Sequence, residues 1–279
     1  MKSFWAPVPS IPSDRCRDFR SSNRSSKSRF DHGKTGTRLG VEVIMKIDIW
    51  SDVVCPWCYI GQRRFEAALA RIPHRAEVEI TWRSFELDPS APASPEAPGR
   101  YAEHLARKYA ITTGQAQMMI DRVISAAAEE GLEYRFDIAR RGNTFDAHRL
   151  LHLGLHRGVQ DLLKERLDRA TFTEGLPVSD HQALTEVARE VGLEEVEVKK
   201  VLTSDMYADA VRADEAQARA YGISAVPFFV IDDKYGMAGA QPADVIAGAL
   251  ERAWRARVSL TVVADGDDSD TCDDGSCAV

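Results

Sequence analysis

Two cysteines separated by two residues stand where a strand-like run gives way to a helical pattern, and this junction constrains the fold more than any other feature. The stretch IWSDVVCPWCYIGQRRFEAALAR has Cys55 and Cys58 near its centre. Lys46–Ser51 alternates apolar and polar residues as a strand does, whereas Tyr59–Arg71 has helical spacing that ends before Pro73. At 3.6 residues per turn, two sulfurs three positions apart lie on one helix face within bonding range. The sequence therefore predicts a strand and then a helix, with the cysteine pair at the junction.

The position of the pair at a helix start favours redox chemistry. Cys55 would face the unsatisfied N–H groups and the positive end of the helix dipole, which lowers a thiol pKa and favours a thiolate near neutral pH. We therefore expect Cys55 to be the nucleophile and the deeper Cys58 to resolve the mixed disulfide. Pro56 suits the first helical position because it has no N–H to leave unpaired. Trp57 is expected to face solvent and contact substrate, or else to pack at the helix start.

Two other interpretations of the pair are weaker. A tetrahedral zinc site needs four ligands, and the second pair, Cys272 and Cys277, has four intervening residues in an acidic stretch. A structural disulfide that spans three residues constrains little of the unfolded chain. We therefore predict a reactive thiol pair and no metal site.

Composition narrows the classes of partner. The 279 residues are 44% hydrophobic, enough for a packed core, and the formal net charge is -7. Residues 1–44 carry nine Lys/Arg against four Asp/Glu, so the net charge of residues 45–279 is -12. An acidic body of this kind argues against a nucleic-acid partner. No run approaches the roughly 18 apolar residues of a membrane helix, and no secretory apolar block is visible near the start. The expectations are no membrane partner and a cytoplasmic location.

The chain divides into parts of different composition. Residues 1–44 are rich in Ser and Arg without apolar periodicity, and are expected to be a disordered leader or a mis-called start ahead of Met45. Strand-like segments occur in 45–90 and 222–258, whereas 91–221 is predicted to be helical. Residues 259–279 are expected to be a flexible acidic tail.

Further strands and a last helix complete the predicted sheet. Strands are expected at Glu77–Phe85, Pro227–Ile231 and around Tyr235–Ala238, with a helix from Gln241 to about Arg257. The helical part is expected to break near six glycines: Gly114, Gly131, Gly142, Gly158, Gly175 and Gly192. The predicted fold class is α/β, with one sheet built from both ends of the chain, the first and last helices packed on it and a large helical insertion as a cap.

The quoted motifs resemble a known family. SDVVCPWCYIG together with the distant SAVPFFV is similar to the thioredoxin-fold DsbA family, and the late TCDDGSC narrows the resemblance to its cytoplasmic FrnE-type branch. WRSFELDP, NTFDAHRLLH and GISAVPFFVIDDKYGMAGAQP also match that branch. The resemblance implies a thioredoxin-like fold with an all-helical insertion domain. It also implies a cis peptide bond between Val226 and Pro227, which would place Pro227 against the cysteine pair and make both residues part of a substrate groove.

The resemblance implies a thiol–disulfide oxidoreductase that oxidises, reduces or isomerises disulfides. Its partners would be client proteins with disulfides or dithiols, or small thiols, with no bound cofactor but with glutathione or a thiol redox partner as a possible co-substrate. A first alternative is a glutathione-dependent isomerase or transferase of the hydroxychromene-carboxylate isomerase or kappa type, acting on a small aromatic or polyketide-like substrate. Relatives of that type replace the first cysteine by serine, and Cys55 is intact. A second alternative is a holdase chaperone or peptide-binding module.

Three further features are open to more than one interpretation. Aspartates beside Cys272 and Cys277 raise thiol pKa values, so this pair suits a relay to the first pair, or else belongs to a merely solubilising tail. Asp52 is expected either to tune the thiol or to cap the helix. Three histidines recur at four-residue spacing, too far apart along a helix to share one ion, and are expected to be packing or surface residues: His148, His152 and His156. His148 is expected to be buried and hydrogen-bonded.

Overall fold

A computed structural model describes residues 44–95 and 97–258. The four strands of the described chain are β1 (Met45–Ser51), β2 (Val78–Ser84), β3 (Phe228–Ile231) and β4 (Tyr235–Ala238). The helices are α1 (Pro56–Leu69), α2 (Tyr101–Tyr109), α3 (Thr113–Glu129), α4 (Phe145–Arg157), α5 (Gln160–Arg169), α6 (His181–Glu190), α7 (Glu195–Leu202), α8 (Ala208–Ala220) and α9 (Ala243–Val258). The expected leader, apart from Ile44, and the expected tail with Cys272 and Cys277 lie outside the described residues.

The sheet joins the two ends of the described chain. Its strand order is β2-β1-β3-β4, with β1 parallel to β2 and antiparallel to β3. Ile47 of β1 is opposite Ile80 of β2 and Ile231 of β3, so the central strand is paired on both sides. The prediction of one sheet assembled from both ends, with a helical segment between them, is therefore confirmed.

Alternating residues send apolar side chains to both faces of the sheet. One face carries Ile47 and Ile49, which pack with Phe65 of α1 and with Ile246 and Leu250 of α9. The other face packs against α8, through a cluster of Trp50, Val230, Ala218 and Ile223. The first and last helices thus cover one face of the sheet as predicted, and α8 covers part of the other.

Helix α5 docks the inserted helices onto the free edge of the sheet. The Gln160 side-chain amide accepts from the backbone N–H of Trp82 in β2 at 3.0 Å and donates to its C=O at 2.9 Å. The Trp82 indole N–H donates to Asp161 at 2.5 Å, and the buried Lys164 ammonium lies 5.1 Å from the centre of the Trp82 ring. The Gln160 side chain therefore pairs the N–H and C=O of Trp82, two backbone groups that an edge strand would leave unpaired.

The helical segment departs from the prediction at one glycine. Gly114 lies within the first turn of α3, and the break comes earlier, where Ala110 adopts φ 53° at the end of α2. The Thr112 hydroxyl accepts from the Gln115 backbone N–H and the Gln115 side chain accepts from the Thr112 N–H, so a reciprocal cap starts α3 there. The cap at Thr112 therefore sets the start of α3, and Gly114 alone does not indicate this position.

Candidate active site

The cysteine pair lies at the amino-terminal end of α1, directly after β1. Cys55 precedes the first helical residue, Pro56, with extended backbone angles, and Cys58 follows within the first turn. The Cys58 N–H donates to the Cys55 carbonyl at 2.9 Å, and the Cys55 N–H donates to the Asp52 carbonyl at 3.2 Å. Cys55 is 5% exposed and Cys58 is fully buried, so only Cys55 can be approached from outside.

The loop before β3 closes over the sulfur of Cys55. The peptide bond between Val226 and Pro227 is cis, as the resemblance implied. The Cys55 thiol donates a hydrogen bond to the Val226 carbonyl at 3.5 Å. Behind the pair, a Cβ placed on Gly61 would lie 2.8 Å from Cγ of Pro227, so the absence of a side chain at Gly61 lets α1 approach this loop.

The surroundings of Cys55 oppose the helix dipole. The side-chain hydrogen bond with Cys58 raises the pKa of Cys55, and burial and the negative charge of Asp52 raise it further. The backbone N–H of Cys58 lowers the pKa but does not reverse the shift. In this dithiol state the net direction is upward, so the expectation of a lowered pKa for Cys55, which considered only the helix end, is wrong.

Asp52 acts on the site through space and not as a helix cap. Its carboxylate accepts from the backbone N–H of Leu87 at 2.7 Å and of Val54 at 3.5 Å, and no side chain caps α1. His148 is fully buried with Nε2 3.4 Å from the Asp52 carboxylate, and neither ring nitrogen has a hydrogen-bond partner among the described residues. His148 is therefore buried as expected, but the expected hydrogen bond is absent from the described part of the chain.

A cavity of about 560 Å³ opens beside Cys55. Cys55, Pro56, Trp57 and Val226 form one wall, and residues of α2, α3 and the segment after α3 form the other. Trp57 is 40% exposed at this cavity, so it faces outward as one of the two sequence interpretations required. The structure thus brings three predicted substrate-contact residues together around the first cysteine.

The opposite wall was not predicted from the sequence. It contains Tyr101, Leu105 and Lys108 of α2, and Phe136 and Arg141 of the following segments. Burial raises the pKa of Tyr101 well above its ordinary value, so its hydroxyl stays protonated. No motif marks these residues, because they meet the cysteines only when the insertion folds back over the sheet.

A polar network supports the helix that carries the cysteines. The Tyr59 hydroxyl donates to Glu165 of α5 at 2.7 Å, and Arg63 and Gln62 also bind this carboxylate. The Tyr134 hydroxyl donates to the Pro56 carbonyl at 2.6 Å. These contacts tie α1 to the insertion at Pro56, between the two cysteines, and in the turns that follow Cys58, so they fix the orientation of the helix.

The predicted histidine row does not gather at one point. His152 lies 3.1 Å from the Asp214 carboxylate and 3.2 Å from the Ser84 hydroxyl, both through Nε2, whereas His156 is exposed. Within residues 44–95 and 97–258, no group of three or more His, Cys, Asp or Glu could hold a metal ion. Every helix within those same residues is too short or too polar to span a lipid bilayer.

Comparison with known proteins identifies the same region. The model of a family described as DSBA-like thioredoxin domain matches residues 46–251. A crystal structure of a probable DsbA oxidoreductase from Streptomyces coelicolor is 44% identical, with a TM-score of 0.73, and covers 84% of this chain and 99% of that one. An uncharacterized protein of Bacillus subtilis, YwbO, is 31% identical over 209 residues, which is 73% of this chain and 94% of the relative.

A more distant structure shares the fold. The cytosolic disulfide reductase DsbM from Pseudomonas aeruginosa with GSH is 16% identical, with a TM-score of 0.54, and covers 75% of this chain and 99% of that one. Together with the nearer relative, it confirms the predicted thioredoxin-like α/β fold with a helical insertion.

Proposed function

Because the chain belongs to the family of DSBA-like thioredoxin domains, we propose that it is a thiol–disulfide oxidoreductase in which Cys55 and Cys58 alternate between dithiol and disulfide. The observation that carries the proposal is the pair at the start of α1, with the thiol of Cys55 directed at the carbonyl of Val226. A recessed first cysteine and a fully buried second one suit attack by the first and resolution by the second.

The proposed reaction proceeds in two exchanges. Cys55 attacks one sulfur of a substrate disulfide, forming a mixed disulfide and releasing the first substrate thiol, which takes up the proton of the Cys55 thiol. Cys58 then attacks the sulfur of Cys55, and the second substrate thiol leaves with the proton of Cys58. The protein is oxidised by two electrons and the substrate is reduced by two. Trp57, Val226 and Pro227 would contact the substrate beside the sulfur.

The surroundings of Cys55 favour reduction of substrates as the working direction. A strongly lowered thiol pKa stabilises the reduced protein and makes it an oxidant. Here the hydrogen bond with Cys58, burial and Asp52 raise the pKa of Cys55, so the reduced pair lacks the thiolate stabilisation of a strong oxidant. We therefore propose a disulfide reductase, working in the cytoplasm on client proteins or small disulfides. Cys272 and Cys277 would relay electrons between Cys55 and a thiol partner.

Equilibration in glutathione buffers of graded redox poise tests the proposal. The fraction of Cys55–Cys58 disulfide, measured by alkylation and mass spectrometry, should follow a two-electron transition with a midpoint below about -200 mV. A Cys58→Ser variant should accumulate a mixed disulfide at Cys55, whereas Cys55→Ser should form none.

Two results would contradict the proposal. An absence of any transition between reducing and oxidising buffers would remove the redox function. Isomerisation of a hydroxychromene-type substrate that survives in Cys55→Ser would instead indicate the glutathione-dependent isomerase activity.

A further inference from the structure

The shape of the cavity beside Cys55 limits which disulfides can reach the sulfur. The cavity measures about 560 Å³, within the range of about 300–1,000 Å³ typical of small-molecule sites. Cys55 is only 5% exposed, and α2 and α3 cover the side opposite Trp57. A compact molecule can enter such a recess with its disulfide whole, whereas a folded protein must present a protruding loop.

The apolar part of the wall favours an organic molecule with a short carbon chain. Leu105 and Tyr101 of α2 face the cavity together with Phe136, whose ring centre lies 4.5 Å from that of Tyr101. Ile120 and Val123 of α3 extend this surface. Methylene groups next to a disulfide would be buried against these side chains.

The charged side chains of the cavity differ in how closely other groups of the protein pair with them. Each of its three carboxylates has a partner. Asp52 accepts from the backbone N–H of Leu87, and Glu86 binds the guanidinium of Arg212. Asp88 accepts from the hydroxyl of Ser90 and pairs with Arg141. Lys108 of α2 lines the same cavity, with its ammonium 5.8 Å from the centre of the Tyr109 ring. Among the described residues Lys108 makes no ion pair within 4.0 Å. The hydrogen bond from Ser90 lowers the pKa of Asp88, and the charges of Arg141 and, at longer range, Lys108 lower it further. An incoming anion would therefore share Lys108 with Asp88.

We infer that this cavity takes a small organic disulfide bearing a carboxylate, and that Lys108 is the residue that binds the carboxylate. The inference rests on the proposed function and assigns its substrate class. The reaction needs no further reagent: the Cys55–Cys58 dithiol becomes a disulfide, and the substrate disulfide becomes two thiols that carry the two protons. Lys108 takes no part in the exchange itself and acts on the rate through binding.

Single-turnover oxidation of the reduced protein by three disulfides of similar length tests this assignment. The probes are 3,3′-dithiodipropionate with two negative charges, 2-hydroxyethyl disulfide with none, and cystamine with two positive charges. Lys108→Gln should slow the reaction with the dianion by about two- to fivefold at low ionic strength, the effect of one partly exposed charge pair. Its rate with the neutral probe should stay unchanged, and the loss with the dianion should shrink as salt is added.

Lys200→Gln is the matched control, because Lys200 is an exposed lysine on α7 and does not line the cavity. It should leave all three rates unchanged. Equal slowing of the three probes by Lys108→Gln, or equal effects of the two lysine variants, would overturn the inference.

A protein disulfide, insulin, separates the two proposals. If the reduced protein reduces insulin, and no small probe oxidises the protein faster than insulin does, the substrate class is overturned and the oxidoreductase function stands. Failure with insulin and with every probe would overturn both.

Discussion

Replacement of Gly61 by alanine should test how closely α1 must approach the loop before β3. Gly61 lies buried in the interior of α1, and an added Cβ would be 2.8 Å from Cγ of Pro227 and 3.5 Å from Cβ of Ala240. The proline ring is rigid and cannot rotate away. Insertion of a methyl group into such a contact costs about 1–3 kcal/mol.

The helix propensity of alanine acts in the opposite direction. Alanine is favoured over glycine within a helix by about 0.5–1 kcal/mol. Gly248 provides the matched control, because it lies in the interior of α9 and a Cβ there would meet nothing within 4 Å. Gly248→Ala should therefore stabilise the protein by about 0.5–1 kcal/mol. The free energy of unfolding of Gly61→Ala should be lower than that of Gly248→Ala by the steric cost of about 1–3 kcal/mol.

Urea unfolding of both variants and the wild type measures this difference directly through the midpoint and slope. The rate of mixed-disulfide formation at Cys55 gives a second measurement, which should change for Gly61→Ala and not for Gly248→Ala because only the first displaces the loop at Pro227. Equal free energies of unfolding for the two alanine variants would refute the close-approach argument.

The remaining predictions concern the sheet edge and the thiol. Gln160→Ala should destabilise the protein by about 2–4 kcal/mol in urea unfolding, because it strips partners from two backbone groups of β2, whereas the exposed Gln182→Ala should change stability by less than about 0.5 kcal/mol. Because its pKa is raised, Cys55 should be mostly thiol at neutral pH, and its iodoacetamide alkylation should still accelerate at pH values above the ordinary range of a free cysteine thiol. Cys58→Ala should move that profile to lower pH, and a plateau below pH 7 in the wild type would contradict the pKa direction.

Local rules were sufficient for the elements that carry the cysteines. Strand alternation in Lys46–Ser51 and the helix-start preference of Pro56 depend on neighbours in the chain, and the structure places β1 and α1 accordingly. The cis bond at Pro227 followed from the family resemblance. These features could be predicted because each is set within a few residues or by a motif.

The electrostatics and the opposite wall could not be predicted in this way. The hydrogen bond with Cys58, the largest cause of the raised pKa of Cys55, follows from the spacing of the pair, but the depth of burial and the carboxylate of Asp52 raise it further and are not contained in that spacing. Asp52 is held by the backbone of Leu87, and Lys108 reaches the cavity because α2 folds over it. Such contacts join segments far apart in the chain, so they follow from the tertiary structure alone.

The pairing of β1 with β3 has a consequence for synthesis of the chain. Ile47 pairs with Ile231, and the carbonyl that faces Cys55 belongs to Val226. Translation at about 5–20 residues per second leaves roughly 10–35 s between the synthesis of Cys58 and that of Ile231. During that interval both thiols are present on a nascent chain without the strand and loop that bury them, so they are open to exchange with any disulfide nearby. A chain that stops before β3 would retain the cysteines but lack the selectivity of the finished site.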